Sequence, residues 1–496
     1  MTGFMAMMLI ALAAQFQKTG SLKGVEAINP PETPVAFKAP AADDLLGLGQ
    51  DKRKPLVIPS VGELVSVTTD TAKPPEPTPP SYSALPPSSG IEVPSTAPPL
   101  PPPVKEDENP WILRWMLKNV PRGMLVRLPI IDTDPNRGST IGFMPIWVLK
   151  EKGGGDRIQE IHAPSLTYNK IFKGIPTYRY YNYPTDNSSL ILRAAGSLQE
   201  ERELLARYED EHFLGNDWKA YGKVQYNVDG AKRFFGFGPD SPQGGEANYI
   251  DDTIQYEVSF GVPVVKESSW KLHGYNNLAS TLMKDGRTPN LPSFRHLFPG
   301  VGPIHRQQTN LLGTRLDYDT RDHGTTTSNG VYFNMYSETS IRGFGSAFDF
   351  QRYGMDARWF RKTSPDAKHA DGAQIRYDQQ LANAPFWLMP TVGGKGSLRA
   401  FGDGRYVDRG SMVVNYEHRY TVYSVALAGV TTEIEIDPFM GVGTAFDNPG
   451  RLSGRYLRPL AGLAVRAVAR PQVVGSIDFG FGEEGMKAFI DINYSF

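Results

Sequence analysis

Apolar and polar residues alternate in short segments over most of the second half of this chain. In the segment 253–262, five apolar residues occupy every second position: Ile254, Tyr256, Val258, Phe260 and Val262. Successive side chains of a β-strand point to opposite faces, so this segment predicts a strand with one apolar face. The same period returns at 412–420, 433–446, 461–467 and 477–481, with turn residues between the segments. The pattern predicts an all-β fold built from antiparallel strands.

The last ten residues, 487–496, also alternate. Their apolar face carries Ala488, Ile490, Ile492, Tyr494 and Phe496. The opposite face is polar except for Phe489. A strand that is apolar on one side only suits a barrel that faces lipid. The final Ile492, Tyr494 and Phe496 resemble the C-terminal signal by which bacterial outer-membrane barrels are recognised for insertion, and we expect all three side chains to face lipid.

The N-terminus carries the pattern of a secretory signal peptide. Phe4 to Ala14 form an apolar run, and Ala11-Leu12-Ala13 offers a small-x-small cleavage site. Eleven residues are too short for a helix to span about 30 Å of hydrocarbon, which weighs against a membrane anchor. The chain has no Cys, which excludes a lipoprotein attachment site and disulfides. Residues 1–17 are therefore predicted to be a signal peptide.

Composition narrows the class of protein. No later segment is apolar enough for a transmembrane helix, and a membrane protein without such helices must be a closed barrel. About 370 residues, from 125 to 496, accommodate some sixteen strands at roughly ten residues each plus turns. A soluble sandwich would show the same alternation, but the signal peptide and the terminal Phe favour the bacterial outer membrane. The net charge of −1 argues against a nucleic-acid partner.

Two segments precede the predicted barrel. About half of the 41 prolines lie between Pro30 and Pro110, so residues 18–108 are predicted to form a disordered periplasmic linker, partly polyproline II. This linker is either a passive spacer or a ligand for a periplasmic or cell-wall partner. Residues 109–124 contain an apolar stretch with two Trp and are predicted to be a short interfacial or plug segment, or else the first strand.

A loop motif resembles a known family. The motif residues within 392–401 are Gly393, Gly394, Leu398, Arg399 and Phe401, with Ala400 at a position where the family usually has Gly. They resemble the lid loop of the BamA/TamA superfamily, the bacterial surface antigen family. The stretches 133–138, 232–238 and 316–322 resemble further family motifs, in family order. The resemblance implies that an extracellular loop folds into the barrel and that Arg399 pairs with acidic groups on the inner wall.

Strand parity selects the partners of that arginine. In 412–420 the apolar residues are expected to face lipid, which points Glu417 into the lumen, where the family keeps one acidic partner. The family's second acidic position is occupied here by Gly441. Asp437 and Glu435 have the parity of that position, so either is a candidate replacement. A purely structural role, in which Arg399 and Glu417 brace the barrel, is the alternative.

The resemblance implies a role in outer-membrane biogenesis, that is, assembly or translocation of protein or lipid. The implied partners are outer-membrane lipid and, during insertion, the barrel-assembly machinery. Assembly members of the family carry polypeptide-transport-associated domains, and residues 18–108 do not resemble one. Two other functions therefore stay open: a passive pore or anchor, and a surface receptor or adhesin that uses 198–216 and 284–308 as extracellular loops.

No pattern indicates an enzyme. The chain has no Gly-x-Ser-x-Gly elbow, no phosphate-binding loop and no His-Glu-x-x-His pair, so we predict no catalytic residue, metal or cofactor. Asp322, His323 and Ser328 could suggest a hydrolase site. A strand end that runs into a polar turn is the simpler interpretation.

Overall fold

The computed structural model describes Trp115 and residues 117–496, apart from 154–156, 267, 302–304, 325, 365–367, 383, 428–429, 470–472 and 493. The predicted signal peptide (1–17) and Pro-rich linker (18–108) lie outside the described residues. Across the described part, no helix has both the length and the apolar character required to cross a membrane.

The described residues form 21 strands, numbered in chain order. They are β1 (Leu117–Val120), β2 (Gly123–Asp134), β3 (Gly138–Lys150), β4 (Ile158–Asn169), β5 (Lys173–Thr185), β6 (Ser188–Gly196), β7 (Glu201–Asp210), β8 (Lys219–Phe234), β9 (Ala247–Pro263), β10 (Trp270–Asp285), β11 (Gln307–Asp319), β12 (Gly330–Ser340), β13 (Phe350–Lys362), β14 (His369–Leu381), β15 (Thr391–Val392), β16 (Tyr406–Val407), β17 (Gly410–Leu427), β18 (Val430–Phe446), β19 (Arg458–Ala469), β20 (Val473–Gly482) and β21 (Gly485–Ile492). A one-turn α-helix spans Phe294–Leu297, and 3-10 turns span Phe213–Gly215, Gln243–Gly245, Arg342–Phe344, Phe386–Leu388, Pro449–Arg451 and Gly454–Tyr456.

Nineteen of these strands form one antiparallel sheet, and β15 and β16 form a separate hairpin. Strands that are neighbours in the sheet follow one another in the chain, from β1 to β21, with β14 pairing directly to β17. The predicted all-β class and strand positions are confirmed. The strand count exceeds the expected sixteen because several connections are short: two residues join β5 to β6 and β20 to β21.

The sheet curls until its ends meet. β2 pairs with β1 and β3, β21 pairs with β20, and β21 lies against β2. Among the described residues, no backbone ladder joins β2 to β21. β1 and the start of β2 occupy the described end of the segment 109–124. This end agrees with the alternative interpretation of the segment, a first strand.

The two faces of the sheet differ as the alternation predicts. On β9, Ile254, Tyr256 and Phe260 are exposed on the outer face. On β17, Tyr416 and Tyr420 are exposed outside, whereas the odd-numbered residues from Ser411 to Thr421 are buried inside. An apolar exterior and a polar interior are the properties of a barrel in lipid.

The barrel has two distinguishable ends. We call the end that carries the connection between β14 and β17 the lid end, and the end where β2 starts and β21 stops the terminal end. The predicted extracellular loop 198–216 is wrong for most of its length, because β7 occupies its centre. Residues 286–306 do form a lid-end connection, and Phe294 of its short helix packs with Phe234 and Phe386.

The C-terminal residues depart from the expected orientation. β21 ends at Ile492, and Tyr494 and Phe496 are buried rather than facing lipid. The Tyr494 hydroxyl donates to Glu435 at 2.7 Å, and the Phe496 carbonyl accepts a hydrogen bond from Arg419 at 3.2 Å. The alternation rule fails here because the strand stops first and the lumen supplies polar partners. The side chain of Ile492 is outside the described part of the structure.

Candidate functional site

The connection between β14 and β17 folds into a hairpin that we call the lid, residues 382–409. Thr391 pairs with Val407 and Val392 with Tyr406, so the motif residues form the hairpin tip. Within the tip, the N–H of Gly394 donates to Phe401 at 3.0 Å. Gly393 has φ +118°, and a Cβ there would lie 2.2 Å from the carbonyl oxygen of Gly402. The tip therefore requires glycine at position 393.

Apolar side chains seat the lid against the inner wall. Leu398, Ala400 and Phe401 of the lid are fully buried. They belong to a cluster with residues of β17, β18 and β19: Val413, Phe439, Ala445, Leu460 and Ala464. Full burial of a large apolar side chain contributes about 1.5–3 kcal/mol, so the lid is held by packing as well as by charge.

Glycines of the wall make room for the lid backbone. A Cβ at Gly480 of β20 would lie 2.1 Å from the carbonyl oxygen of Arg399. A Cβ at Gly482 would lie 2.9 Å from the methyl group of Ala400. The extra methyl of Ala400, where the family motif usually has Gly, thus faces a wall position that has no side chain.

Arg399 is the buried charge of the lid tip. Its Nη1 donates to Oε2 of Glu417 on β17 at 2.7 Å and to Oδ2 of Asp478 on β20 at 2.9 Å. Its guanidinium carbon lies 3.5 Å from the ring centroid of Phe439, and the residue is 1% exposed. A guanidinium removed from water needs carboxylate partners, and here two strands of the wall supply them.

Glu417 connects this arginine to a larger buried cluster. It also accepts hydrogen bonds from Arg466, at 2.8 Å to each oxygen, and from Arg419 at 3.0 Å. Arg466 is bonded to Asp437 as well. We call the following residues the lumen ion-pair cluster: Arg399, Arg419, Arg466, Glu417, Asp437 and Asp478. The cluster contains three basic and three acidic side chains, so each buried guanidinium has at least one carboxylate partner.

The two proposed replacements for the second acidic partner do not contact Arg399. Asp437 is bonded to Arg466 instead, and Glu435 is bonded to Tyr494. The second carboxylate is Asp478, which the sequence analysis did not select. Asp478 lies in the alternating segment 477–481 with inward parity, so the rule that selected Glu417 also places Asp478 among the inward carboxylates.

The C-terminal tail reaches the same cluster from the terminal end. The Ser495 hydroxyl donates to Asp478 at 3.0 Å. Arg419 lies 3.6 Å above the ring of Tyr494 and donates to the carbonyl of Thr327, in the connection between β11 and β12, at 2.6 Å. The cluster thus joins the lid to the tail across the lumen.

A second lid arginine, missed by the sequence analysis, anchors the base of the tip. Arg405 donates to the carbonyl oxygen of Ser241 at 2.8 Å and pairs with Glu484. Tyr406 lies beside it and donates to Glu483 at 2.8 Å. Burial, together with the bond to Glu483, raises the pKa of the Tyr406 hydroxyl well above its usual range, so it remains a donor near neutral pH.

The Asp322 region has the contacts of a turn. The hydroxyl of Ser328 donates to Asp322 at 2.7 Å, and the backbone N–H groups of Ser328 and Asn329 donate to it at 2.9 and 3.2 Å. Burial raises the pKa of the Asp322 carboxyl, but the effect of these hydrogen bonds is larger and lowers the pKa to about 2.

The described residues contain no group of three His, Cys, Asp or Glu side chains arranged to hold a metal ion.

The sequence profile of the Omp85 superfamily domain matches residues 186–468, more than half of the chain. The chain belongs to the Omp85 superfamily. Omp85 barrels are outer-membrane proteins, which places this chain in the outer membrane and agrees with its apolar exterior. No curated protein sequence matches the chain.

Solved Omp85-type structures resemble this Omp85 barrel at low identity. BamA from Haemophilus ducreyi lacking POTRA domains 1-3 has 14% identity over 74% of this chain and 75% of that chain, with a TM-score of 0.48. CdiB from Acinetobacter baumannii has 12% identity over 76% of this chain and 60% of its own, with a TM-score of 0.41. CdiB from Escherichia coli has 9% identity over 76% and 64%, with a TM-score of 0.43.

Proposed function

We propose that this Omp85 barrel assembles or translocates protein or lipid at the outer membrane, and that the lid controls passage through its lumen. The observation that carries the proposal is the burial of Arg399 between Glu417 and Asp478 at the tip of a loop. The contacts of the lid with the wall are made by side chains, so they can be broken without unfolding the strands that hold its partners.

The seam between β2 and β21 supports the same role. An insertase needs a place where the sheet separates easily, and the described residues show no ladder between these strands. A cavity of about 420 Å³ lies beside the seam, lined by the lid tip, by Asp132 and Arg137 of the first long hairpin, and by Phe489 of β21. A client segment at the seam would meet the lid directly.

Depletion of the protein tests the biogenesis role. A quantitative outer-membrane proteome after depletion is expected to lose a subset of barrels or surface proteins. An unchanged proteome and unchanged lipid distribution would instead support a passive pore or anchor.

A reversible cross-link tests whether the lid must move. Because the chain has no Cys, the double variant Ala400→Cys/Gly482→Cys introduces one disulfide between lid and wall; the two Cβ atoms would lie 2.9 Å apart, and a shift of about 1 Å brings them to the ~3.8 Å separation of a disulfide. Oxidation is expected to stop growth that depends on this protein, and reductant is expected to restore it. The control Phe479→Cys/Ala488→Cys joins the paired positions of β20 and β21 without the lid. Equal growth of both oxidised variants would contradict a moving lid.

The N-terminal predictions complete the proposal. Residues 1–17 are proposed to be removed as a signal peptide, with 18–108 in the periplasm as a spacer or tether and the barrel-assembly machinery inserting the barrel. N-terminal sequencing of the mature protein tests the cleavage. The proposed activity uses no catalytic residue or cofactor, and turnover in a chromogenic lipase assay would contradict that part.

A further inference from the structure

Four cations form a strip on the inner wall of β5 to β8: Arg179, Arg193, Arg207 and Lys223. Arg179 lies directly opposite Arg193 in the sheet, and Arg207 lies directly opposite Lys223. Their neighbours along each strand face outward; Tyr178, Leu192, Tyr208 and Val224 are exposed. Like charges directly opposite one another destabilise a sheet, so the facing cations lower the stability of the empty barrel.

Two carboxylates neutralise only part of the cationic strip. Glu203 lies 3.1 Å from Arg193, and Glu257 lies 2.9 Å from Lys223. β7 has two further inward-facing acidic residues, Glu201 and Glu209. They pair with Arg137 and Lys219, which are outside the strip. Four cations against two carboxylates leave an excess of two positive charges.

Two arginines of the cationic strip can form further hydrogen bonds or ion pairs. Arg179 donates to the hydroxyl of Ser165 at 3.1 Å, and no carboxylate among the described residues forms an ion pair with it. The Nε of Arg207 is buried and has no hydrogen-bond partner in the described part of the chain. Arg179 and Arg207 are themselves only partly buried on the inner face, and Arg193 retains 38% side-chain exposure, so a solute in the lumen can reach the strip.

We infer that the cationic strip is a binding site for a phosphate-bearing anion within the lumen. A guanidinium presents parallel N–H donors that match phosphate oxygens, and the charge of a phosphate relieves the repulsion between facing cations. Phosphate groups linked in a row can place one group at each of the two opposed pairs. A linear polyphosphate is therefore the simplest probe.

Calorimetric titration of the refolded full-length barrel with tripolyphosphate tests the inference. The wild type is expected to bind, and Arg179→Gln/Arg207→Gln is expected to bind at least about tenfold more weakly, because each lost charge-assisted contact is worth about that factor. Arg202→Gln is the matched control, since Arg202 lies on β7 and is exposed on the outer face. Its affinity is expected to equal that of the wild type.

Three results would overturn the inference: no binding by the wild type, equal binding by the double variant, or equal loss in the Arg202→Gln control. Heat-modifiable electrophoretic mobility verifies folding of each variant, and Arg207→Gln alone replaces the double variant if that barrel does not fold. Citrate, a carboxylate trianion, is titrated in parallel. Citrate binding as tight as that of tripolyphosphate would overturn the assignment of phosphate.

Discussion

Replacing Arg399 by alanine is expected to unseat the lid while leaving the barrel folded. The variant loses two charge-assisted hydrogen bonds, to Glu417 and Asp478, and the contact with the Phe439 ring. Glu417 keeps Arg419 and Arg466, so its charge remains paired after the substitution. The substitution is therefore not expected to separate the strands that carry these residues.

The size of the effect follows from these contacts. Removing one partner of a buried ion pair costs about 3–5 kcal/mol. The Nε and Nη2 of Arg399 have no hydrogen-bond partner in the described part of the structure, and the variant also removes these two unsatisfied groups, which cost about 1 kcal/mol each. We therefore expect the seated lid to lose roughly 1–3 kcal/mol, which changes the ratio of seated to unseated lid by a factor of about 5 to 150.

Planar-bilayer recordings of the reconstituted full-length chain measure this ratio as the fraction of time spent conducting. The wild type is expected to conduct poorly, and Arg399→Ala is expected to conduct for a much larger fraction of the recording. Arg342→Ala is the control, because Arg342 also lies in a lid-end connection but its side chain is 70% exposed and pairs only at the surface. Equal conductance of wild type and Arg399→Ala would refute the reasoning.

Three further predictions concern the lid seat and the terminal end. Gly480→Ala is expected to unseat the lid, because its Cβ would meet the Arg399 carbonyl, whereas Gly475→Ala on the same strand has open space; protease cleavage of the lid distinguishes them. Gly393→Ala is expected to destabilise the lid tip by about 1–3 kcal/mol through strain at positive φ, whereas Gly396→Ala is expected to be neutral in the same cleavage assay. Asp322 has a folded pKa of about 2, below the ordinary 3.8, so its stabilisation of the 320–329 turn is present above about pH 4 and lost as the pH falls towards 2. Pepsin cleavage of that turn is expected to rise over this range, and a variant Asp322→Asn that keeps the same pH step would contradict the assignment.

Sequence periodicity predicted the parts of the fold that depend on strand parity. Glu417 was placed in the lumen because its neighbours Tyr416 and Tyr420 need lipid, and the structure has this arrangement. The same rule placed Asp437 and Glu435 inside as well. Parity gives the face of a strand but not the distance across a lumen, so it did not predict which inward carboxylate Arg399 reaches. Asp478 becomes its partner because β20 lies beside the lid tip.

Two other features depend on where elements stop or on contacts between distant elements. The orientation of Tyr494 followed from the end of β21, and alternation contains no signal for a strand end without a turn residue. The sequence analysis did not select Arg405, because its partners, Ser241 and Glu484, are 164 and 79 residues away in sequence. Long-range pairing of this kind has no local pattern from which it can be read.

The two partners of Arg399 come from parts of the chain that are far apart. Arg399 precedes Glu417 by 18 residues but precedes Asp478 by 79, and Asp478 lies on the penultimate strand of the sheet. Ordering the longer of these two loops costs more conformational entropy. The lid can form both ion pairs only in a barrel whose sheet already includes β20, so a complete seat for the lid is a property of the finished sheet and not of the lid hairpin alone.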